Sequence, residues 1–105
     1  MPDDMKKIFI IKIGGNVLDN PEALSAFLKD FATINETKIL IHGGGKIATR
    51  IGDQLGIRSQ YVDGRRITDA QTRDLVTMVY GGLVNKQIVA TLQARGCNAV
   101  GLTGA

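Results

Sequence analysis

The sequence predicts an α/β fold in which parallel strands alternate with helices, and three patterns lead to this prediction. Two short runs of β-branched and aliphatic residues, Ile8–Ile13 and Lys38–Ile41, each run into a cluster of glycines. Segments with apolar residues at helical spacing follow, and the connections are short. Strand, helix, strand and helix in this order are typical of a parallel sheet with right-handed crossovers. Such sheets bind ligands beyond the carboxyl ends of their strands, where both glycine clusters fall.

The first half of the chain divides into two strand-and-helix units. The run Ile8–Ile13 is apolar except for one lysine, which predicts a strand buried on both faces. Asn20 and Pro21 have the residue types of an N-cap and a first helical position, so we expect an amphipathic helix to begin there. Lys38–Ile41 predicts a second buried strand, and the helix after it is expected to end at Gly56.

The second half begins with a hairpin. Residues 57–67 have the pattern of two extended segments, with a turn at Asp63 and Gly64. Thr68 and Gln71 then have the spacing of a capping box, which predicts a helix with Thr68 as its N-cap.

One long helix and a short strand complete the chain. The helix is predicted over residues 69–95, loosened or bent at Gly81 and Gly82, and ended by Gly96. Its apolar residues occupy more than one stripe, so we expect a homodimer or a higher homo-oligomer. Residues 98–102 are expected to begin another strand.

Composition limits the class of protein. A chain of 105 residues, 44% hydrophobic and 22% charged, suffices for one folded domain and disfavours intrinsic disorder. The net charge of +3 is spread out and the aromatic residues are two tyrosines and three phenylalanines, which disfavours nucleic-acid binding. No apolar run approaches the roughly 20 residues of a membrane span. The N-terminus lacks the order of a signal peptide. We therefore expect a cytoplasmic protein that binds no membrane.

The single cysteine excludes an internal disulfide, and the single histidine disfavours a metal site. Cys97 cannot form an internal disulfide, and it is expected to be a small structural residue. With His42 as the only histidine, no metal-ligand spacing can be identified.

The first glycine cluster directly follows a lysine-bearing strand. Gly14 and Gly15 let the backbone approach an anion closely and turn N–H groups toward it. Lys12 lies between two isoleucines, so we expect its stem to be buried and its ammonium group to need a partner such as a phosphate. A tight turn beside a solvated lysine is the alternative that this motif leaves open.

Three consecutive glycines join the second strand to the next helix. The free N–H groups of Gly43, Gly44 and Gly45, together with the helix dipole, predict a site for a carboxylate or a phosphate. A Walker A loop is excluded because Lys46 is followed by Ile47 rather than by serine or threonine.

The same loop admits a second interpretation. Gly43, Gly45 and Ala48 satisfy the G-x-G-x-x-A pattern of dinucleotide-binding domains, with Asp63 as the acidic residue further on. His42 could contact a ligand here, but we expect it to be a structural residue that forms hydrogen bonds.

Two pairs of polar residues lie outside the glycine loops. Arg65 and Arg66 are adjacent in a predicted strand, so at most one faces the site, where a guanidinium could hold a carboxylate. A solvated pair is the alternative. Asn85 and Lys86 are expected to lie on a solvated helical surface.

Several motifs follow one another from about residue 6 to the last residue. They are Lys12–Gly15, His42–Gly45, Gly64–Asp69, Tyr80–Lys86 and Ala99–Ala105. In order and spacing they resemble the N-acetylglutamate kinases of the amino-acid kinase family. The resemblance implies a three-layer αβα sandwich with a mainly parallel sheet, truncated here to its N-terminal half.

The resemblance also implies an activity. It is phosphoryl transfer from ATP to the side-chain carboxylate of N-acetyl-L-glutamate, or of another N-acylglutamate, in arginine biosynthesis. Mg²⁺ is expected with ATP, although no protein ligand for it can be identified in this sequence. Lys12 would be the catalytic lysine that stabilises charge on the transferring phosphoryl group.

Further residues take binding roles by the same resemblance. Gly14 and Gly15 would bind the nucleotide phosphates. Gly44 and Gly45 would bind the acylglutamate through backbone N–H groups, and Arg66 would grip a substrate carboxylate.

The resemblance covers one part of the family's domain. Residues 1–105 are expected to form the acylglutamate-binding half, with the ATP-binding half absent, so the chain by itself is expected to be weakly active or inactive. A non-catalytic acylglutamate-binding or dimerisation module is the alternative, and a dinucleotide-binding oxidoreductase domain is a less favoured one.

Overall fold

The computed structural model describes residues 7–57, 60–67 and 69–104, with the backbone alone at 60, 66 and 67. The strands are β1 Ile8–Ile13, β2 Thr37–His42, β3 Gln60–Val62 and β4 Arg65–Ile67. The α-helices are α1 Gly15–Leu18, α2 Pro21–Ala32, α3 Ile47–Gln54, α4 Ala70–Val76 and α5 Asn85–Ala94, and a π-helical segment, Thr77–Val84, joins α4 to α5. The predicted α/β fold class is confirmed.

β1 and β2 form a parallel sheet with one face covered and one exposed. The pairing places Lys12 opposite Ile41 and Ile13 opposite His42. The exposed face carries four isoleucines, which retain 57, 65, 48 and 46% of their accessible surface: Ile8, Ile10, Ile39 and Ile41. The expectations that β1 is buried on both faces and that β2 is a buried strand are therefore wrong, because the described helices cover these two strands from one side only.

The core lies between the covered face of the sheet and the helices. Its buried apolar residues form a single cluster: Ile13, Leu18, Leu28, Phe31, Ala48, Leu75, Val79, Val84, Ile88 and Leu92. At about 25 cal/mol per Å² of apolar surface, burial of such side chains is the main favourable term for this domain.

Helix α2 begins and is capped as the sequence predicts. The side-chain oxygen of Asn20 accepts hydrogen bonds from the N–H groups of Glu22 and Ala23, both at 3.1 Å, and Pro21 is the first helical residue. At the other end, Lys38 Nζ donates to the carbonyl of Phe31 at 2.8 Å. The lysine of β2 therefore satisfies a carbonyl at the helix terminus where a positive charge is favourable.

Helix α4 begins one residue later than the capping box predicts. Its N-cap is Asp69, whose Oδ1 accepts the N–H of Thr72 at 2.7 Å. Thr68, the expected N-cap, lies outside the described residues. Hydrogen bonds from Thr72, first from its backbone N–H and then from its side chain, hold the pKa of Asp69 below its ordinary value of 3.8.

The long helix changes its winding where the two glycines occur. Gly81 and Gly82 lie within the π-helical segment, so the predicted loosening takes the form of a wider helical turn. The helix ends as predicted at Gly96, which has a φ of +77°.

The predicted hairpin is present, and it contacts α3. β3 and β4 pair antiparallel, and Asp63 and Gly64 form the turn with φ values of 51° and 77°. Two positive φ values in a two-residue loop are typical of a type I′ turn. The hydroxyl groups of Thr49 and Tyr61 lie 3.1 Å apart and link α3 to β3.

The segment after α5 is not a strand, contrary to the prediction for residues 98–102. Its carbonyl groups accept hydrogen bonds from side chains of the long helix instead of from a neighbouring strand. Gln93 Nε2 donates to the carbonyl of Ala99 at 2.8 Å, and Lys86 Nζ donates to that of Gly101 at 3.1 Å. A cleft of about 620 Å³ separates this segment from β2, so no β-ladder forms between them.

One helical stretch among the described residues, Ala70–Ala94, is long and apolar enough by length and composition to cross a membrane. Arg73, Asp74 and Lys86 interrupt its apolar sequence. Several of its side chains belong to the buried cluster, so we interpret it as a core helix.

Candidate substrate site

The two glycine loops lie side by side at the carboxyl end of the parallel sheet. Gly14 follows β1 and Gly43 follows β2, and the last residues of the two strands are paired. A Cβ atom added to Gly15 would lie 3.6 Å from the Cα of Gly45. The structure thus brings together two loops that the sequence predicts separately.

Gly45 has a backbone conformation and surroundings that favour glycine. Its φ is +58°, in the left-handed region. A Cβ atom there would also lie 2.4 Å from Oδ1 of Asp19. The same oxygen accepts the N–H of Lys46 at 2.9 Å, so the Asp19 carboxylate contacts the turn directly.

Gly44 is buried beneath an aromatic ring. A Cβ atom on Gly44 would lie 1.9 Å from Cε1 of Tyr80, whereas one on Gly43 would lie 3.9 Å from Cε2 of the same ring. Tyr80 is contributed by the π-helical segment. Close approach of this ring therefore requires glycine at position 44 and not at position 43.

The N–H groups of Gly44 and Gly45 donate no hydrogen bond to any residue that the structure describes. The Gly44 carbonyl, by contrast, accepts the N–H of Ile47 at 3.3 Å. An unpaired N–H on a buried residue is rare in folded proteins. Beside the N-terminus of α3, these donors can receive a carboxylate or phosphate oxygen.

A hydrogen-bond network joins the triple-glycine loop to the end of the long helix. His42 Nδ1 lies 2.7 Å from the carbonyl of Gly43, so this nitrogen carries the proton. His42 Nε2 is then the acceptor for Asn85 Nδ2, at 3.2 Å. Asn85 also donates to the carbonyl of Leu102 at 3.3 Å. His42 therefore hydrogen-bonds within the protein through both ring nitrogens.

The prediction of a solvated surface at Asn85 and Lys86 is wrong for Asn85. Asn85 is buried, with 8% of its surface accessible. Lys86 is exposed, but its Nζ donates to Asn85 Oδ1 at 3.1 Å as well as to the carbonyl of Gly101. The difference arises because the segment after α5 folds back over this part of the helix.

Lys12 lies at the carboxyl end of β1, but its stem is not buried. The residue is exposed and lies on the open face of the sheet, opposite Ile41. It forms no ion pair or hydrogen bond through its side chain with the described part of the chain. The expectation of a buried stem is wrong for the same reason as for β1 as a whole: the described helices leave that face uncovered.

The structure describes Arg66 by its backbone only. It lies in β4 and pairs with Tyr61, whose hydroxyl contacts α3. Its side chain lies outside what the structure describes. Arg65, its neighbour, is exposed.

No metal centre is formed by the described residues, among which no group of three or more histidine, cysteine, aspartate or glutamate side chains could hold an ion. The arrangement instead offers backbone N–H groups, a helix N-terminus and a lysine. Groups of this kind bind anions and stabilise developing negative charge.

Sequence reasoning missed the contributions of Asp19, Tyr80 and Asn85 to this region. Asp19 lies 27 residues from the amide that it accepts, so no local pattern indicates the contact. Tyr80 and Asn85 belong to Tyr80–Lys86, one of the motifs that carry the family resemblance. Their contacts, however, depend on how the long helix meets the triple-glycine loop.

Comparison with known proteins identifies the family of this chain. A profile of the amino acid kinase family matches residues 7–105. The chain is 68% identical over 101 residues to an acetylglutamate kinase of Cytophaga hutchinsonii, an alignment that covers 96% of this chain and 38% of that protein. It is 59% identical over 106 residues to an acetylglutamate kinase of Bacteroides fragilis, which covers 100% of this chain and 41% of the relative. The chain therefore spans about two fifths of the length of the curated relatives that it matches.

Two solved structures share the fold. The smu.665 protein of Streptococcus mutans matches with a TM-score of 0.69 and 25% identity, over 88% of this chain and 38% of that one. An N-acetylglutamate synthase of Neisseria gonorrhoeae, complexed with coenzyme A and L-arginine, matches with a TM-score of 0.59 and 20% identity, over 97% of this chain and 24% of that one.

Proposed function

This chain belongs to the amino acid kinase family, and from that premise we propose that it is the acylglutamate-binding part of an acetylglutamate kinase. The reaction is transfer of the terminal phosphoryl group of ATP to the side-chain carboxylate of N-acetyl-L-glutamate, as a step of arginine biosynthesis. The names of the relatives at 68% and 59% identity support this substrate. Another N-acylglutamate is compatible with the same loop chemistry.

The observation that carries the proposal is the pair of unpaired N–H groups on Gly44 and Gly45. The side-chain carboxylate of the acylglutamate accepts these hydrogen bonds. The burial of Gly44 beneath Tyr80 excludes water from one side, which strengthens hydrogen bonds to a bound anion.

Lys12, Gly14 and Gly15 are proposed to serve the phosphoryl group and the nucleotide. They lie at the same sheet edge as the triple-glycine loop, with Gly15 in close approach to Gly45. Gly14 and Gly15 hold the phosphates through backbone N–H groups. Lys12, whose ammonium group is free of other described residues, stabilises the negative charge that develops on the transferring phosphoryl group. Mg²⁺ is expected to arrive with ATP.

The chain is proposed to be the N-terminal half of the family's domain, acting in the cytoplasm. Its span of about two fifths of its relatives supports this. The exposed isoleucine face of β1 and β2 is a surface that further residues of such a domain would cover. Met78 and Leu83, exposed by 56% and 40% on the long helix, support a homodimer or a higher homo-oligomer.

The dinucleotide-binding alternative is not favoured. In that pattern the acidic residue binds a ribose at the end of a parallel strand. Asp63 instead lies in the turn of an antiparallel hairpin. The family match also points to a kinase.

Calorimetric titration of N-acetyl-L-glutamate into three arginine variants tests the proposal. If Arg66 grips a substrate carboxylate in a water-excluding site, Arg66→Ala should cost roughly 2–5 kcal/mol, or at least about thirtyfold in affinity. Arg66→Lys should recover only part of this, because an ammonium group cannot form a two-pronged contact. The matched control, Arg65→Ala, should change binding by less than about 0.5 kcal/mol.

Equal effects from Arg65→Ala and Arg66→Ala would count against the assigned role of Arg66. Failure of the unmutated chain to bind N-acetyl-L-glutamate would count against the proposed substrate. ATP turnover separates catalysis from binding: the chain alone should turn over far more slowly than the roughly 10 s⁻¹ typical of enzymes.

A further inference from the structure

Helix α3 begins without a capping side chain of its own. Its N-cap, Lys46, has helical backbone angles and forms no side-chain capping bond. The Lys46 N–H is instead accepted by Oδ1 of Asp19 at 2.9 Å, from 27 residues earlier in the chain. A carboxylate at the C-terminus of α1 therefore caps the helix that follows the triple-glycine loop.

The same carboxylate lies against a glycine of each loop. A Cβ atom on Gly15 would lie 3.5 Å from Asp19 Oδ2, and one on Gly45 would lie 2.4 Å from Oδ1. Asp19 itself is fixed by its backbone N–H, which donates to the Gly15 carbonyl at 2.8 Å. One side chain thus lies against both loops and accepts the N-cap amide of α3.

We propose that Asp19 is a positioning residue that holds the triple-glycine loop in its ligand-binding conformation. We call the contacts of Asp19 with Gly15, Gly45 and Lys46 the clamp. The clamp rests on the distances above, whereas its effect on ligand binding rests on the proposed function. By accepting the Lys46 N–H, Asp19 satisfies the N-cap amide of α3 with an internal anion. An incoming carboxylate is then directed to the neighbouring amides of Gly44 and Gly45, which have no described partner.

Amide hydrogen exchange at Lys46, measured by NMR on the chain without ligand, tests the clamp. In Asp19→Ala the Lys46 amide should exchange about tenfold to a hundredfold faster, since a hydrogen bond to a charged acceptor is lost. Asp19→Asn keeps an acceptor oxygen of the same reach and should restore most of the protection. The control, Asp30→Ala, removes an exposed carboxylate of α2 and should leave the Lys46 amide unchanged.

The same variants are then titrated with N-acetyl-L-glutamate. Asp19→Ala should weaken binding by about tenfold, and Asp19→Asn should bind within about threefold of the unmutated chain. Rescue by asparagine separates loop positioning from general loss of stability, and Asp30→Ala controls for loss of one negative charge.

Two results would overturn the clamp. One is an equal exchange rate of the Lys46 amide in the unmutated chain and in Asp19→Ala. The other is a Lys46 amide that is unprotected from exchange in Asp19→Asn. If Asp19→Ala does not fold, Asp19→Glu replaces it, because the added methylene displaces the oxygen and should also accelerate exchange at Lys46. A protected Lys46 amide in a chain that binds no N-acetyl-L-glutamate supports the clamp and contradicts the proposed function alone.

Discussion

A methyl group added at Gly44 tests the close approach of Tyr80 to the triple-glycine loop. The Cβ of Gly44→Ala would lie 1.9 Å from Cε1, 2.0 Å from Cδ1 and 2.8 Å from Cζ of the Tyr80 ring. All three distances are far below van der Waals contact, so the ring or the loop has to move. The matched control is Gly43→Ala, where the nearest ring atom would be 3.9 Å away.

Overpacking of this kind costs about 1–3 kcal/mol of stability. For a domain of this size, each kcal/mol lowers the melting temperature by roughly 4–8 °C. We therefore expect Gly44→Ala to melt roughly 4–24 °C below the unmutated chain. Gly43→Ala meets only ordinary contact and should stay within about 0.5 kcal/mol.

Chemical denaturation of the two variants, combined with Tyr80→Ala in a double-mutant cycle, provides the assay. Removal of the ring should make Gly44→Ala tolerable, with a coupling of at least about 1 kcal/mol between the two substitutions. Equal destabilisation by Gly43→Ala and Gly44→Ala, or additive effects with Tyr80→Ala, would refute the proposed packing.

Three further predictions concern the rest of the domain. Asn85→Ala removes a buried side chain that hydrogen-bonds to His42 and to the Leu102 carbonyl, and it should cost about 1–3 kcal/mol in denaturant titrations, whereas the exposed Gln87→Ala should cost less than about 0.5 kcal/mol. Because hydrogen bonds lower the pKa of Asp69 in the folded chain, its carboxylate stabilises the fold above pH 3.8, and this contribution is lost as the pH falls through the folded pKa. Asp69→Asn keeps a capping oxygen without titrating, so its stability relative to the unmutated chain should rise only in that acidic range; a difference independent of pH would contradict this. Light scattering at tens of micromolar should give a mass above that of a monomer. The substitutions Met78→Glu and Leu83→Glu should lower this mass, because they place charges on an exposed apolar surface. A monomer mass for the unmutated chain would contradict the proposed association.

Local signals account for most of the secondary structure. Asn20 followed by Pro21 locates the start of α2, and Gly56 and Gly96 locate the ends of two helices. These patterns act within one turn of chain, so they can be identified without the tertiary structure. Thr68 and Asp69 show the limit, because both residue types cap helices and the sequence alone selects the wrong one.

Features that depend on distant residues could not be predicted. Residues 98–102 have the composition of a strand, but a strand also needs a hydrogen-bonded neighbour, and side chains of the long helix occupy their carbonyl groups. Exposure of Lys12 likewise depends on what covers the second face of the sheet, which the sequence of β1 does not encode.

The residues of the candidate site likewise divide into those that the sequence predicts and those that it does not. Gly44 and Gly45 stand out because consecutive glycines between a strand and a helix need a reason. Asp19 and Tyr80 give the loop its shape, yet they lie in other segments and become apparent only when the chain is folded.

An amide NMR titration of the unmutated chain with N-acetyl-L-glutamate tests the central claim most directly. The amide signals of Gly44 and Gly45 should shift saturably, with N-acetyl-L-glutamine as the control that lacks the side-chain carboxylate and should shift them less. Signals from the far end of α5 should not move. Unchanged Gly44 and Gly45 signals, or a saturable response of this loop to NAD in place of the acylglutamate, would contradict the assignment of the loop as an acylglutamate site.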